Sequence, residues 1–160
     1  MSELLLISSL DPVEAGENLT ESRHPWVTLQ QYFTIPDEKM DTFVSRVGEA
    51  VEAFSPITVT GTEESDTFGP NEDVRVRRVS AVGLQALHTV LGEVIYHHDG
   101  DIRNPEWAFE GYNPHITYVD GRALKEGEQA LLQTVELVGK NDAGDKIIQS
   151  VWRLESTAEA

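Results

Sequence analysis

The segment 24–35 constrains the fold most, because apolar and polar side chains alternate along it. Strand geometry sends alternate side chains to opposite faces of a sheet. One face of this strand would carry the apolar residues Val27, Leu29, Phe33 and Ile35. The other face would carry the polar and aromatic residues His24, Trp26, Thr28, Gln30 and Tyr32. This pattern predicts a sheet with one face in the core and the other forming the floor of a cleft.

The composition is that of an acidic chain without cysteine. Its 160 residues contain 28 Asp and Glu against 12 Lys and Arg, which gives a formal net charge of −16. This charge argues against binding to duplex DNA, which needs a cationic face, and against adhesion to an anionic membrane. Disulfides and Cys-ligated zinc are excluded. The longest apolar run, Leu4-Leu5-Leu6-Ile7, is too short to span a membrane. The sequence therefore predicts a soluble, cytoplasmic protein.

The hydrophobic periodicity predicts one domain over residues 1–154 and a frayed tail over 155–160. Helices are expected at 37–54, where Asp37 is a plausible N-cap and Pro56 follows, and at 83–98. Acidic loops are expected at 11–22 and 61–73, and a hairpin turn at 141–145. The expected strands are residues 3–10, 24–35, 57–60, 74–79, 112–119, 130–140 and 146–154.

The sharpest local signal is the run Asn113-Pro114-His115-Ile116-Thr117-Tyr118. On a strand, His115 and Thr117 project to the same face while Ile116 packs on the other. An imidazole exchanges protons near neutral pH, and a hydroxyl donates to a phosphate oxygen. A half-buried histidine with a purely structural hydrogen bond would fit the bare tripeptide equally well.

The order of features along the chain extends this signal. One expected strand begins with Pro25-Trp26-Val27-Thr28, and a helix follows it. A later strand begins with the Pro-His-Ile-Thr run, and the last hairpin ends with Val151-Trp152-Arg153-Leu154. This order resembles the two-histidine phosphoesterase superfamily, the 2′-5′ RNA ligase-like proteins and cyclic nucleotide phosphodiesterases. The resemblance covers residues 4–154. It implies an α+β fold with two pseudo-symmetric lobes of antiparallel sheet, covered by helices, around a central cleft.

The same resemblance implies a His-x-Thr or His-x-Ser motif on each lobe and acid–base chemistry that needs no metal or cofactor. His115 and Thr117 match the second motif. In the first motif Thr28 is present, but Trp26 stands where the family has histidine. An indole only donates a hydrogen bond and cannot shuttle a proton, although it can stack on a nucleotide base.

His24 shares strand parity with Trp26 and lies two positions upstream, about 7 Å away along a strand. Three interpretations stay open for it: a surrogate acid or base, a donor to phosphate or ribose, or a surface residue. Pro25 places it at the entrance of the strand, because proline cannot join a central ladder.

Several other residues are candidates for binding substrate. Arg75 and Arg77 share strand parity and could attract phosphate in an acidic protein, or they could protect an edge strand from pairing. Three tyrosines could stack on a base or simply pack in the structure: Tyr32, Tyr112 and Tyr118.

The remaining histidines are expected to be structural. His97 and His98 are adjacent on a helix, where their side chains point about 100° apart, so no metal site is expected. His88 lies beside the apolar stripe of the second helix and is expected to be half-exposed.

Two functions of different classes follow. The first is a phosphoesterase acting on a small nucleotide or short RNA with a 2′,3′-cyclic, cyclic or 2′-5′ phosphodiester. In it His115 would act as acid or base, Thr28 and Thr117 would hold the phosphate, Trp26 would stack on a base, and His24 would supply a second proton relay. The second is a binding module that senses or sequesters such a nucleotide without hydrolysis. Protein–protein interaction through the acidic surface is a third possibility.

Overall fold

The computed structural model describes residues 3–22, 24–68, 74–117 and 124–155. Its elements in chain order are β1 (Leu4–Ser9), α1 (Leu19–Ser22), β2 (Trp26–Thr34), α2 (Met40–Glu52), β3 (Ile57–Phe68), β4 (Val74–Ser80), α3 (Leu84–His97), β5 (Asp101–Ile102), β6 (His115–Thr117), β7 (Gln129–Leu132), β8 (Thr134–Lys140) and β9 (Lys146–Arg153). Single 3-10 turns at Asp37–Lys39, Pro105–Trp107 and Phe109–Gly111 complete the set.

The strands form one antiparallel sheet in the order β7-β3-β4-β6-β2-β1-β8-β9, with β5 added to β2. The two halves of the sheet, β7-β3-β4-β6 and β2-β1-β8-β9, join where β2 pairs with β6. The predicted α+β fold of antiparallel sheet with covering helices is confirmed.

The two faces of the sheet have different partners. One face packs on α2 and α3 through side chains such as Val27, Leu29 and Ile116 from the strands and Phe43 and Leu91 from the helices. We call this the helix face, and the opposite one the open face. The open face carries a smaller apolar cluster of Leu5, Ile7, Leu19, Val138 and Ile148. Because Leu4 and Leu6 belong to the first cluster and Leu5 and Ile7 to the second, β1 is buried on both sides.

The register of β1 and β2 corrects the predicted alternation. The register shifts between Leu4 and Leu6 and again between Leu6 and Ile7, so that Gln30 lies opposite Leu6. Such bulges turn side chains to the other face. Gln30 is therefore buried on the helix face, where its amide donates to the carbonyl of His88 at 2.8 Å.

Several other predictions of secondary structure were wrong. The loop expected at 11–22 contains α1. The N-cap of α2 is Lys39, because the expected N-cap Asp37 belongs to the preceding 3-10 turn. β3 continues to Phe68, although 61–73 was expected to be a loop. The expected strand 130–140 is two strands, because β7 pairs with β3 whereas β8 pairs with β1. The segment 112–114 precedes β6 and is not part of it. The other expected strands, both helices and the 141–145 turn are present, with ends that move by a few residues.

Glu136 is an unusual member of the open face. It lies on β8 opposite Ile7 of β1, and its side chain is fully buried. The Ser9 amide donates to Oε1 at 2.9 Å, whereas Oε2 has no hydrogen-bond partner within the part of the chain that the structure describes. Burial raises the pKa of Glu136 to about 7, against the opposing hydrogen bonds from Ser9 and Thr134. In the folded protein, the Glu136 carboxyl therefore keeps its proton to a higher pH than in the unfolded chain.

We expect Glu136→Gln to stabilise the protein at alkaline pH. A folded-state pKa above the unfolded value means that stability falls as the pH rises from about 4.5 through 7, where the buried group ionises. The neutral amide removes this loss, so its advantage should grow toward about 3 kcal/mol above pH 8. Urea unfolding across pH measures it. The exposed Glu126→Gln is the control, and an equal pH slope in both variants would contradict the assignment.

Candidate functional site

The site is organised by the pairing of β2 with β6, in which Val27 lies opposite Ile116. Both of these side chains are 0% exposed and belong to the helix-face core. In an antiparallel pair, opposed residues share a face and their neighbours share the other. The register therefore places Thr28 beside His115 and Trp26 beside position 117 on the open face. The two sequence motifs lie next to each other in antiparallel orientation.

A neighbouring strand adds a residue that the sequence patterns did not reveal. β4 pairs with the other edge of β6, so that Arg78 lies opposite His115. Arg77 lies opposite Ile116 and so belongs to the other face, where its Nη1 donates to the carbonyl of Thr62 at 2.8 Å. The structure thus places Arg78, and not Arg77, on the face of His115. The side chains of Arg75 and Thr117, and all of Tyr118, lie outside the described part of the chain.

His115 is half-buried, and its Nδ1 lies 3.1 Å from the carbonyl oxygen of Asn113. A carbonyl only accepts, so Nδ1 carries the proton and Nε2 is the basic nitrogen. Burial lowers the pKa of His115, the Asn113 hydrogen bond opposes this, and the positive charge of Arg78 lowers it further. The imidazole is therefore neutral near pH 7 and able to accept a proton.

Thr28 is held from the helix face by two stacked rings, the half-buried Tyr112 and the buried His88. The hydroxyl of Tyr112 donates to the carbonyl of Thr28 at 2.8 Å, and the Tyr112 ring stacks on His88 with centroids 3.8 Å apart. Burial raises the pKa of Tyr112, which keeps that hydroxyl protonated. Tyr112 was a candidate for stacking on a substrate base, but the structure places it beneath the strand, where it supports Thr28.

His88 was expected to be half-exposed, but it is 1% exposed. Its Nδ1 donates to the carbonyl of Leu29 at 2.6 Å, and its Nε2 accepts from the amide of Phe109 at 2.7 Å. These partners fix the neutral tautomer, and burial lowers the pKa of the ring, although the Leu29 contact opposes the shift. Gly92 of α3 allows this packing, because a Cβ there would stand 2.7 Å from the ring of Phe109.

His24 lies at the entrance of β2, between two carboxylates. Nδ1 is 2.9 Å from Asp11 and Nε2 is 2.7 Å from Glu17. Burial lowers the pKa of His24, but the hydrogen bonds and charges of Asp11 and Glu17 together outweigh burial and raise it. The pKa of Glu17 is lowered, chiefly by the Ser22 hydroxyl and also by His24. Both nitrogens of His24 therefore fasten the segment 11–22 to the start of β2.

The aromatic candidates Trp26 and Tyr32 both pack against the apolar cluster of the open face. Lys146 Nζ lies 5.9 Å from the centroid of the Trp26 ring, and Lys140 Nζ lies 4.7 Å from that of Tyr32. Lys140 and Lys146 are themselves paired across β8 and β9. Both rings thus lie on the same face of β2 as Thr28, each with a cation nearby.

No group of three or more His, Asp or Glu side chains within the described ranges is placed to hold a metal ion. His98 is buried and its Nδ1 donates to the carbonyl of Val94 at 2.7 Å, while His97 is exposed. None of the described helices is long and apolar enough to cross a membrane.

We expect His24→Ala to weaken the protein in acidic but not in alkaline solution. Because the folded-state pKa of His24 is raised, its contribution is complete below pH 6.5 and is lost as the pH rises through the raised value. The loss should be about 1–2 kcal/mol near pH 6 and should shrink by about pH 9. Thermal unfolding at both values measures it, with the exposed His97→Ala as control. A deficit that is equal at both pH values would show that packing, not charge, anchors the segment.

Comparisons with known proteins show which sequences and folds this chain is similar to. No protein-family model matches the chain. A Staphylococcus haemolyticus protein named "Putative phosphoesterase SH1944" is 29% identical over 116 residues, which is 72% of this chain. The matched region spans 63% of that relative, a little under two thirds of its length.

Solved structures extend the likeness over almost the whole chain. TT0787 of Thermus thermophilus has a TM-score of 0.65 at 13% identity, covering 98% of this chain and all of its own. Escherichia coli LigT, in its complex with NADP+, has a TM-score of 0.62 at 15% identity, covering 97% of this chain and 99% of its own. These likenesses establish a shared fold. Together with the similarity to a phosphoesterase, they confirm the resemblance to the two-histidine phosphoesterase superfamily, whose fold this chain has.

Proposed function

We propose that the chain is a phosphoesterase that hydrolyses a phosphodiester of a small nucleotide or short oligonucleotide, with His115 as the proton-transferring group. The observation that carries the proposal is the position of His115 beside Thr28 on an open sheet face, with Arg78 on its other side. The lowered pKa of His115 supports a neutral imidazole there. The likeness to LigT supports a nucleotide substrate, because LigT was crystallised with NADP+, 3′-AMP and ATP.

In the proposed reaction, Nε2 of His115 takes a proton from water as the water oxygen attacks phosphorus. The bond from phosphorus to the 2′ or 3′ oxygen then breaks, and that oxygen takes a proton from solvent, while the imidazolium releases its own. The hydroxyl of Thr28 donates to a phosphate oxygen, and position 117 supplies the second threonine of the pair. Trp26 and Tyr32 offer surfaces on which a base could stack.

Trp26 in place of a second histidine sets the expected rate. A positioned acid or base contributes on the order of 10²–10⁴ to a rate, so a one-histidine site should be slow. His24 is a poor substitute, since both of its nitrogens already contact carboxylates. A cyclic diester, whose leaving oxygen stays tethered to the product, is therefore the substrate class we favour over a 2′-5′ linked dinucleotide.

The experiment compares 2′,3′-cyclic nucleotides with 2′-5′ linked dinucleotides, using the wild type, His115→Ala and His24→Ala. We expect slow turnover of the cyclic nucleotides, a loss of on the order of 10²-fold or more in His115→Ala, and little change in His24→Ala. Chelator should leave the rate unchanged. Turnover that survives His115→Ala at the wild-type rate would remove this mechanism.

A binding module without hydrolysis is the second candidate, and the tryptophan in the first motif favours it. Trp26 provides the readout, because its fluorescence should respond to a nucleotide bound on the open face. Quenching without product supports binding alone, whereas product supports the enzyme. Trp26→Phe separates its signal from those of Trp107 and Trp152. If no nucleotide alters the fluorescence or is consumed, both candidates fail.

A further inference from the structure

We infer that Arg78 is the anion-binding residue of the site, holding the non-bridging oxygens of the substrate phosphate beside His115. This inference rests on the proposed function and adds to it the residue that recognises the charge of the substrate. It is carried by the cross-strand register of β4 and β6.

The register defines a row of side chains across the open face, one from each of five adjacent strands. In order from β4 to β8 they are Arg78, His115, Thr28, Ile7 and Glu136. Neighbouring Cα atoms in such a row are about 4.5–5.5 Å apart, so Arg78 and Thr28 flank the imidazole at about 10 Å from each other. A phosphate group over His115 would lie within reach of both side chains.

Charge assigns different roles to the two ends of this row. Arg78 is a permanent cation, and its guanidinium matches a phosphate in a bidentate geometry. Glu136 lies at the other end, is fully buried, and is separated from Thr28 by Ile7, which is also buried. Among the five residues of this row, Arg78 is therefore the cation available to the anion, and it lies on the β4 side of His115. In a chain of net charge −16, such local positive potential is needed to admit a phosphate.

Arg78 also affects the proton acceptor. Among the described residues that face His115, Arg78 comes from β4, while Thr28 and Trp26 from β2 are uncharged, and the backbone contact is the Asn113 carbonyl. A cation next to an imidazole disfavours its protonated form. The same residue would therefore bind the substrate anion and hold His115 in the neutral form that accepts a proton.

The test uses Arg78→Gln and Arg78→Lys, with Arg46→Ala as a control that changes the net charge equally on the exposed surface of α2. Ring-carbon NMR follows the titration of His115. We expect its pKa to rise in Arg78→Gln and to return toward the wild-type value in Arg78→Lys, which keeps the charge. Arg46→Ala should titrate like the wild type.

Two further measurements address the anion. Inorganic phosphate should perturb the His115 signals in the wild type and in Arg46→Ala at similar concentrations. In Arg78→Gln, the phosphate concentration that gives half of this change should be higher by on the order of 10- to 100-fold. With a cyclic nucleotide as substrate, kcat/KM of Arg78→Gln should fall by a similar factor. The acid limb of its pH profile should move to higher pH, because the pKa of His115 rises. Arg78→Lys should recover only part of the rate, because an ammonium does not reproduce the bidentate contact.

The outcomes separate this inference from the proposed function. Unchanged His115 titration and phosphate response in both Arg78 variants would overturn the role of Arg78, even if the wild type hydrolyses the nucleotide. A wild type that turns over no phosphodiester while phosphate binding still depends on Arg78 would overturn the proposed reaction and leave the anion site standing. Thermal unfolding of each variant checks that it is folded.

Discussion

The site depends on the burial of Val27 against Ile116, where the two halves of the sheet join. Because these side chains are buried in the helix-face core, the adjacent residues Thr28 and His115 face the open side of the sheet. A slip of one residue in β2 would bury Thr28 and expose Val27. The same slip in β6 would bury His115 and expose Ile116. The apolar contact between the strands, and not any polar contact within the site, therefore fixes which groups meet on the open face.

A second layer of contacts holds β2 from beneath. The carbonyls of Thr28 and Leu29 accept from Tyr112 and His88, whose stacked rings fill the space between the strand and α3. The bulge that turns Gln30 inward places its amide on the backbone of His88. A polar network that is fully satisfied in a buried position is rigid. These contacts fix the backbone of Thr28 and therefore the position from which its hydroxyl reaches the open face.

Local sequence patterns were sufficient to predict where the strands and helices lie, but they did not predict how the strands pair. The alternation of apolar side chains located β2, and the helical stripes located α2 and α3, because those signals are short-range. The inward turn of Gln30 could not be predicted, since a bulge is fixed by the partner strand. The alternation within β4 alone suggested Arg75 and Arg77 as binding residues, because it does not show how β4 pairs with β6. In the sequence, Val76 and Val79 are an odd number of positions apart, and the structure buries both. This spacing was the signal that both faces of β4 are used.

The substitution of tryptophan for histidine changes what the first motif contributes. On the open face the indole packs on an apolar cluster with Lys146 above its ring, so the first motif offers stacking surface beside a positive charge. The indole itself accepts no proton. His115, which lies opposite Arg78, is the proton acceptor that we propose on the other half. Under the proposed function, a substrate that spans both halves would place its base on the first half and its phosphate on the second. Hydrolysis of a cyclic phosphodiester needs one proton taken from water and one given to the leaving oxygen. Because His115 would provide only the first of these transfers and solvent the second, this division accounts for the slow turnover we expect.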